Sequence, residues 1–325
     1  MQSSPRGSVR VTAGLGLALA SAFAFGGSGV AAKPLIEAGA DPLFVVWLRV
    51  AGAALVTAPL AWRHRQLLRR RPVLLAGYGM FAVAGVQVFY FSAISRLPVG
   101  VALLVEYLAP ALVLGWVRFV RRRRVGPAAA LGAVLAVGGL ACVVEIWSGL
   151  GFDPVGLALA LGAACCQVAY FVLSDQGDGG EDPADPAGVI AYGFLVGAVA
   201  LTVAARPWNG AWGVLAGPAR MGETEVPALL LVGYVVLVAT VLAYLLGVVA
   251  IRRLSPQVAG VVACLEAVVA AALAWVLLGE HLSVPQLAGG AAVLAGALVA
   301  QRSVPKEETG VTARDPVPEV PASSR

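Results

Sequence analysis

Apolar residues fill this chain in ten stretches, separated by short polar or charged breaks: 11–32, 43–62, 73–94, 99–117, 127–144, 154–174, 187–205, 227–250, 256–278 and 284–300. Each is long enough to cross a hydrocarbon core of about 30 Å as a helix. The pattern therefore predicts an all-α membrane protein of ten transmembrane helices. It is also written twice. Ala93-Ile94-Ser95-Arg96-Leu97 corresponds to Ala250-Ile251-Arg252-Arg253-Leu254 at an offset of 157 residues, and the same offset carries Val101-Ala102 to Val258-Ala259 and Leu108 to Leu265. Each copy has a carboxylate inside its apolar run, Glu106 in the first and Glu266 in the second. The expected organisation is a cytoplasmic N-terminus (1–10), a first five-helix repeat (11–144), a second (145–302) and a disordered cytoplasmic tail rich in Pro, Glu, Ser and Thr (303–325).

Composition excludes a soluble reading. Hydrophobic residues make up 59% and charged residues 13%, against about 25% charged in soluble domains. Arg6, Arg10 and the Ala22-Phe23-Ala24 sequence imitate a secretory signal, but the apolar run continues to Ala32. That exceeds the roughly 7–15 residues of a signal core, so an uncleaved first span is expected. Cys142, Cys165, Cys166 and Cys264 all fall inside apolar spans and read as small packing residues.

Charge sets the orientation. With the N-terminus inside, Arg63–Arg71, Arg118–Arg124, Arg252, Arg253, Arg302 and Lys306 gather near the inner face, leaving Lys33, Arg96, Arg206 and Arg220 outside. This bias predicts N-in and C-in termini. The acidic 175–186 segment is then cytoplasmic, a flexible linker between halves. Five helices per half make the second half enter the membrane upside down. Arg121–Arg124 after the fourth span and Gly279-Glu280-His281 after the ninth fit inverted repeats, which hold their substrate site near the midplane. The 206–226 loop, with Trp208 and Trp212, is expected at the outer interface.

Ionisable groups inside spans are costly and point to function or to pairing. Arg49 and Glu106 each sit seven residues into a span that starts outside, about 10 Å deep; they are expected to pair. Glu266 lies ten residues into the ninth span, about 15 Å deep. Structural clamping and exposure to a transport cavity are both open for these three. Gln87 and Tyr90, Gln167 and Tyr170, and Tyr244 form a second group, able to orient a polar ligand or to hydrogen-bond between helices. Pro110 should bend the fourth span by removing a backbone bond. The Gly- and Ala-rich fifth and tenth spans read as close-packed scaffold. The arginine runs read as topology determinants and partners of membrane lipids, not of nucleic acid. No phosphate-binding loop, nucleophile motif or histidine cluster accompanies His64 and His281, so neither cofactor, metal nor enzymatic activity is expected.

These residues resemble the drug/metabolite transporter superfamily, in its ten-helix EamA type, over about 11–302. The resemblance rests on Phe25-Gly26-Gly27-Ser28 leading to Lys33, on Pro42 leading to Arg49, and on the run from Leu265-Glu266 through Gly279-Glu280 to Gly296. Ala267 stands where the family usually has proline. Glu106, Tyr107 and Pro110 in the string PVGVALLVEYLAP look like the threonine/homoserine-exporter branch. The resemblance implies a cavity lined by helices 1–4 and 6–9, with Arg49, Glu106, Tyr107 and Glu266 at or near it, and helices 5 and 10 behind. It implies a multi-pass cell-membrane transporter exporting a small polar metabolite, an amino acid being favoured, with protons as a coupling partner. The alternatives are an exporter of drugs or other metabolites, and a membrane scaffold or sensor without transport. Oligomeric state, a homodimer included, is open.

Overall fold

A computed structural model describes residues 5–122, 125–145, 153–177, 185–251 and 256–302. The 303–325 tail, most of the 175–186 linker, and Arg123, Arg124, Arg252, Arg253 and Lys306 lie outside the described residues. The long helical segments fall into ten rods: α1 (Pro5–Glu37), α2 (Pro42–Arg63), α3 (Pro72–Ile94), α4 (Val99–Phe119), α5 (Pro127–Val143), α6 (Pro154–Gly177), α7 (Pro186–Ala205), α8 (228–251), α9 (256–278) and α10 (Val284–Arg302). Six, in α1–α4, α7 and α8, are long and apolar enough to cross a membrane; the apolar runs in α5, α6, α9 and α10 are shorter.

Sequence explains where several rods begin. Asp41-Pro42 and Asp185-Pro186 open α2 and α7 in the same way. The aspartate accepts a hydrogen bond from the backbone N–H two residues on (2.8 and 2.9 Å), and proline fills a first-turn position that needs no N–H. The first rod begins at Pro5 and runs past the expected end at 32 to Glu37; Lys33 does not end it, because its ammonium is taken up by Glu280 instead of needing water.

Two rods carry a wide π turn in matching places, Tyr78–Gly85 in α3 (8 residues) and Tyr234–Leu242 in α8 (9 residues). The added residue explains the register of the repeat. Pro72 and Ala228 stand 156 apart, whereas Ile94 and Ile251 stand 157 apart. In α4 the helix breaks at Tyr107-Leu108 and restarts at Ala109, placing Pro110 in a first turn where its missing N–H costs nothing. The α9 helix continues through Ala267 without a break.

The molecule is not wholly α-helical. Within the 206–226 loop and its edge, Pro218–Met221 pairs antiparallel with Thr224–Pro227. Gly222, at φ +59°, makes the reversal possible. The strands are four residues each, below what hydropathy along the chain can separate from a loop. Trp212 packs edge-on against Phe44 and Trp47, with centroids 5.0 and 6.0 Å away, while Trp208 stays exposed.

Loop contacts sort the connections to two ends. At one end Lys33 meets Glu280 and the Leu97 carbonyl, Arg96 meets Asp153 at 2.5 Å, and the Ser283 hydroxyl bonds Glu145. The hydrogen bond from Arg96 holds the exposed Asp153 carboxyl below the usual carboxylate range. At the other end His64 lies 3.5 Å from Asp185.

Helices α5 and α10 press backbone to backbone. A Cβ at Gly289 would stand 2.5 Å from the Gly139 carbonyl oxygen, whereas one at Gly138 would meet nothing within 4 Å. Gly289→Ala is therefore expected to destabilise by about 1–3 kcal/mol through overpacking. Gly138→Ala should be neutral or stabilising, by up to about 1 kcal/mol of helix propensity. Melting temperatures of the two purified variants in detergent check the contrast.

Candidate functional site

The site is built outward from Arg49, which is 3% exposed in the middle of α2. A buried guanidinium is tolerated only when its donors are satisfied. Here Nε donates to Thr240 Oγ1 (2.7 Å), one terminal nitrogen donates to Ser28 Oγ (2.5 Å) and Gln87 Oε1 (2.9 Å), and the other to the Ala239 carbonyl (3.2 Å). Phe91 lies under the cation, its centroid 5.3 Å from Cζ. The acceptors come from α1, α3 and α8. The π turn of α8 supplies two of them: Thr240 donates back to the Val235 carbonyl five residues earlier (2.7 Å) while receiving Arg49. Such turns gather at functional sites.

The expected Arg49–Glu106 ion pair is not formed. Two hydroxyls, an amide and a carbonyl surround the guanidinium and match its planar fork. Glu106 instead lines a central chamber of about 180 Å³ together with Glu266, Arg49, Gln87, Tyr90, Gln167 and Tyr244. Glu106 and Glu266 come from α4 and α9, and Gln87 and Tyr244, equivalent under the 157-residue offset, come from α3 and α8. Thus both halves contribute matched positions to one space. Tyr107 is not among the lining residues; it sits at the α4 break, partly buried against the core. The side chain of Tyr170 lies outside the described residues.

Sequence reasoning about polar groups missed three contributors: Phe25, Ser28 and Thr240. Phe25 meets Tyr244 edge to face at 4.8 Å, and Phe194 meets the same ring at 5.2 Å. Ser28 lies in a glycine-rich turn of α1 that lets neighbouring rings close in. A Cβ at Gly27 would be 2.1 Å from the Tyr234 hydroxyl oxygen, and one at Gly29 would be 2.3 Å from that of Tyr90. The signal for Ser28 was this glycine cluster. For Thr240 it was a lone hydroxyl in the apolar run from Val235 to Leu242.

Beyond the chamber, Lys33 Nζ lies 2.5 Å from Glu280, whose other oxygen accepts the Val99 N–H at 2.8 Å. This clasp joins α1, the α9–α10 loop and the first turn of α4. It sits seven residues along α4 from Glu106, about 10 Å.

A bundle of apolar rods enclosing a small chamber of ionisable and amide side chains has the form of a membrane transporter for small solutes. The chain belongs to the EamA-like transporter family, which it matches over residues 12–145 and 154–301, and so to the drug/metabolite transporter superfamily; it is a multi-pass protein of the inner membrane. It is 29% identical over 292 residues to the threonine/homoserine exporter RhtA of Escherichia coli K12, covering 90% of this chain and 92% of that protein. The Salmonella typhimurium LT2 exporter of the same name is 28% identical over 247 residues, 76% of each. The aromatic amino acid exporter YddG of Ancylobacter novellus is 31% identical over 140 residues, 42% of this chain and 49% of that one. A solved crystal structure at 22% identity superposes with a TM-score of 0.54 over 89% of this chain and 96% of its own, a likeness of fold alone.

If Arg49 is held as described, Thr240→Val strands a buried N–H donor, a cost of about 1–3 kcal/mol. Thr240→Ser keeps the hydroxyl. Thermal unfolding in detergent should separate the two, with the valine variant markedly less stable and the serine variant near wild type.

Proposed function

We propose that this protein is a secondary transporter exporting a small polar metabolite, an amino acid, by alternating access of two inverted five-helix halves. In this reading all ten rods cross the membrane and both termini lie in the cytoplasm. The halves are 11–144 and 145–302, flanked by a cytoplasmic N-terminus and tail. The observation that carries the reading is the chamber itself, where one guanidinium and two carboxylates from opposite halves face a common space. That is the complement of a zwitterion.

The roles follow from the geometry. Glu106 and Glu266 serve the ammonium group of the solute, or a proton that exchanges with it. Arg49 makes four hydrogen bonds within the protein, out of five donors. One N–H remains for a solute carboxylate, so Arg49 is first a brace between halves and second a ligand. Gln87, Tyr90, Gln167 and Tyr244 orient the solute. Phe25 and Tyr244 supply an apolar wall for its side chain. The sorting of loops to two ends supports alternating rods, and the Lys33–Glu280 clasp fits the closed outer end of such a cycle. The exporter relatives favour an amino acid over a drug. A central polar chamber of about 180 Å³ argues against a scaffold or sensor, whose centre would be filled.

Counterflow in proteoliposomes tests the function. Wild-type protein should exchange labelled threonine or another amino acid, and Glu106→Gln and Glu266→Gln should each lower the rate at least about tenfold, the loss of one charge-assisted hydrogen bond. Normal transport by both variants would make the carboxylates structural. Exchange of drugs but not amino acids, or of neither, would move the protein to the corresponding alternative. For the architecture, reporter tags in the 121–124 turn and beside Glu280 should report opposite sides of the membrane; one shared side would end the inverted-repeat reading.

A further inference from the structure

A second and larger cavity, about 1060 Å³, lies behind the broken α4, apart from the polar chamber. Its walls are the second half of α4 with α5 and α6, represented by Leu112, Gly115, Trp116, Val137 and Val172. Its size is at the top of the usual range for ligand pockets, about 300–1,000 Å³. Among the described residues the lining is apolar apart from Arg118, the one charged residue among them. Arg118 stands at the end of α4 away from the Lys33–Glu280 clasp, and Arg121 and Arg122 follow it in the chain just beyond the helix end.

We infer that this groove is a binding site for an anionic phospholipid, with an acyl chain along Leu112, Trp116 and Val137 and the phosphate at Arg118. Two features define the ligand. An apolar trough beside a membrane helix is filled by hydrocarbon, which is held there by its fit against the walls and not by exclusion from water. A guanidinium at its rim selects phosphate through paired N–H donors, and the neighbouring arginines raise the local positive potential. A lipid with net negative charge is favoured over a zwitterionic one, whose own cation opposes them.

The corresponding groove of the second half sharpens the assignment. It runs along α9 and α10 past Trp275 and Leu287, holds about 540 Å³, and ends at Glu280 and His281. It has the apolar trough without the arginine, and Glu280 is already engaged with Lys33. Selectivity for anionic lipid therefore belongs to the first groove alone. This inference needs only a membrane protein, so it stands or falls separately from the proposed transport activity.

The test uses the full chain in nanodiscs of equal phosphatidylglycerol and phosphatidylcholine, with retained lipid counted by native mass spectrometry after release into detergent. Wild-type protein should retain phosphatidylglycerol preferentially. Arg118→Gln should reduce that preference about fivefold, the equivalent of the roughly 1 kcal/mol that one basic residue adds near an anionic surface. Gly115→Phe should expel the lipid without unfolding the protein, because a Cβ at Gly115 meets nothing within 4 Å; an unchanged melting temperature verifies that. Equal retention of the two lipids by wild-type protein, or an unaltered preference in Arg118→Gln, would overturn the inference. So would a dimer that Gly115→Phe dissolves, since a second copy would then be the occupant.

Discussion

The anchoring of one buried guanidinium is what the rest of this structure depends on. Arg49 cannot sit in the centre of an apolar bundle unless its donors are met, and no single helix can meet them. Ser28 of α1 and Gln87 of α3 belong to the first half, and Thr240 and Ala239 of α8 to the second. The charge thus fixes how the halves meet, and it does so at the wall of the chamber. Because the anchoring groups are neutral, the positive charge is not cancelled on the spot and remains to balance the carboxylates across the cavity.

Close approach of helices makes that arrangement reachable. Among lipid tails there is no hydrophobic gain in bringing two apolar helices together, so packing has to come from fit. The backbone contacts of Gly139, Gly289 and Gly296 bind α5 to α10 on the outside of the bundle. On the inside, Gly27 and Gly29 let Tyr234 and Tyr90 approach α1 within what would be the space of a Cβ. The first set holds the frame; the second narrows the chamber and sets Ser28 against Arg49. The π turn in α8 completes the fit, since it offers the Ala239 carbonyl and the Thr240 hydroxyl to the same cation.

The two ends of the bundle differ in charge, and each difference has a structural use. The Lys33–Glu280 clasp ties three elements and caps the first turn of α4, so the rod bearing Glu106 begins at that lock. At the far end of the same rod stands Arg118, on the rim of an apolar groove. The rod is interrupted between the two, at Tyr107-Leu108. The break divides the rod into a part that brings Glu106 to the polar chamber and a part that lines the apolar groove.

Much of this was legible in residue order. Length and hydropathy along the chain are local properties, and they located the rods to within a few residues except at the start and end of α1. Cost of burial singled out Arg49, Glu106 and Glu266, and offset pairing set Gln87 against Tyr244; the structure brings all five to one chamber. Tyr107 shows the limit of such reasoning, because a polar residue at a helix break can turn into the core as well as toward a cavity. What only the tertiary structure decided is partnership. Arg49 and Glu106 matched in depth and charge, yet the guanidinium took Thr240, 191 residues away, and Lys33 took Glu280, 247 residues away. Nothing in the order of residues ranks such pairs. The choice is made by which oxygens the packed backbone brings within about 3 Å of a fixed donor, and that distance exists only once the rods have closed on one another.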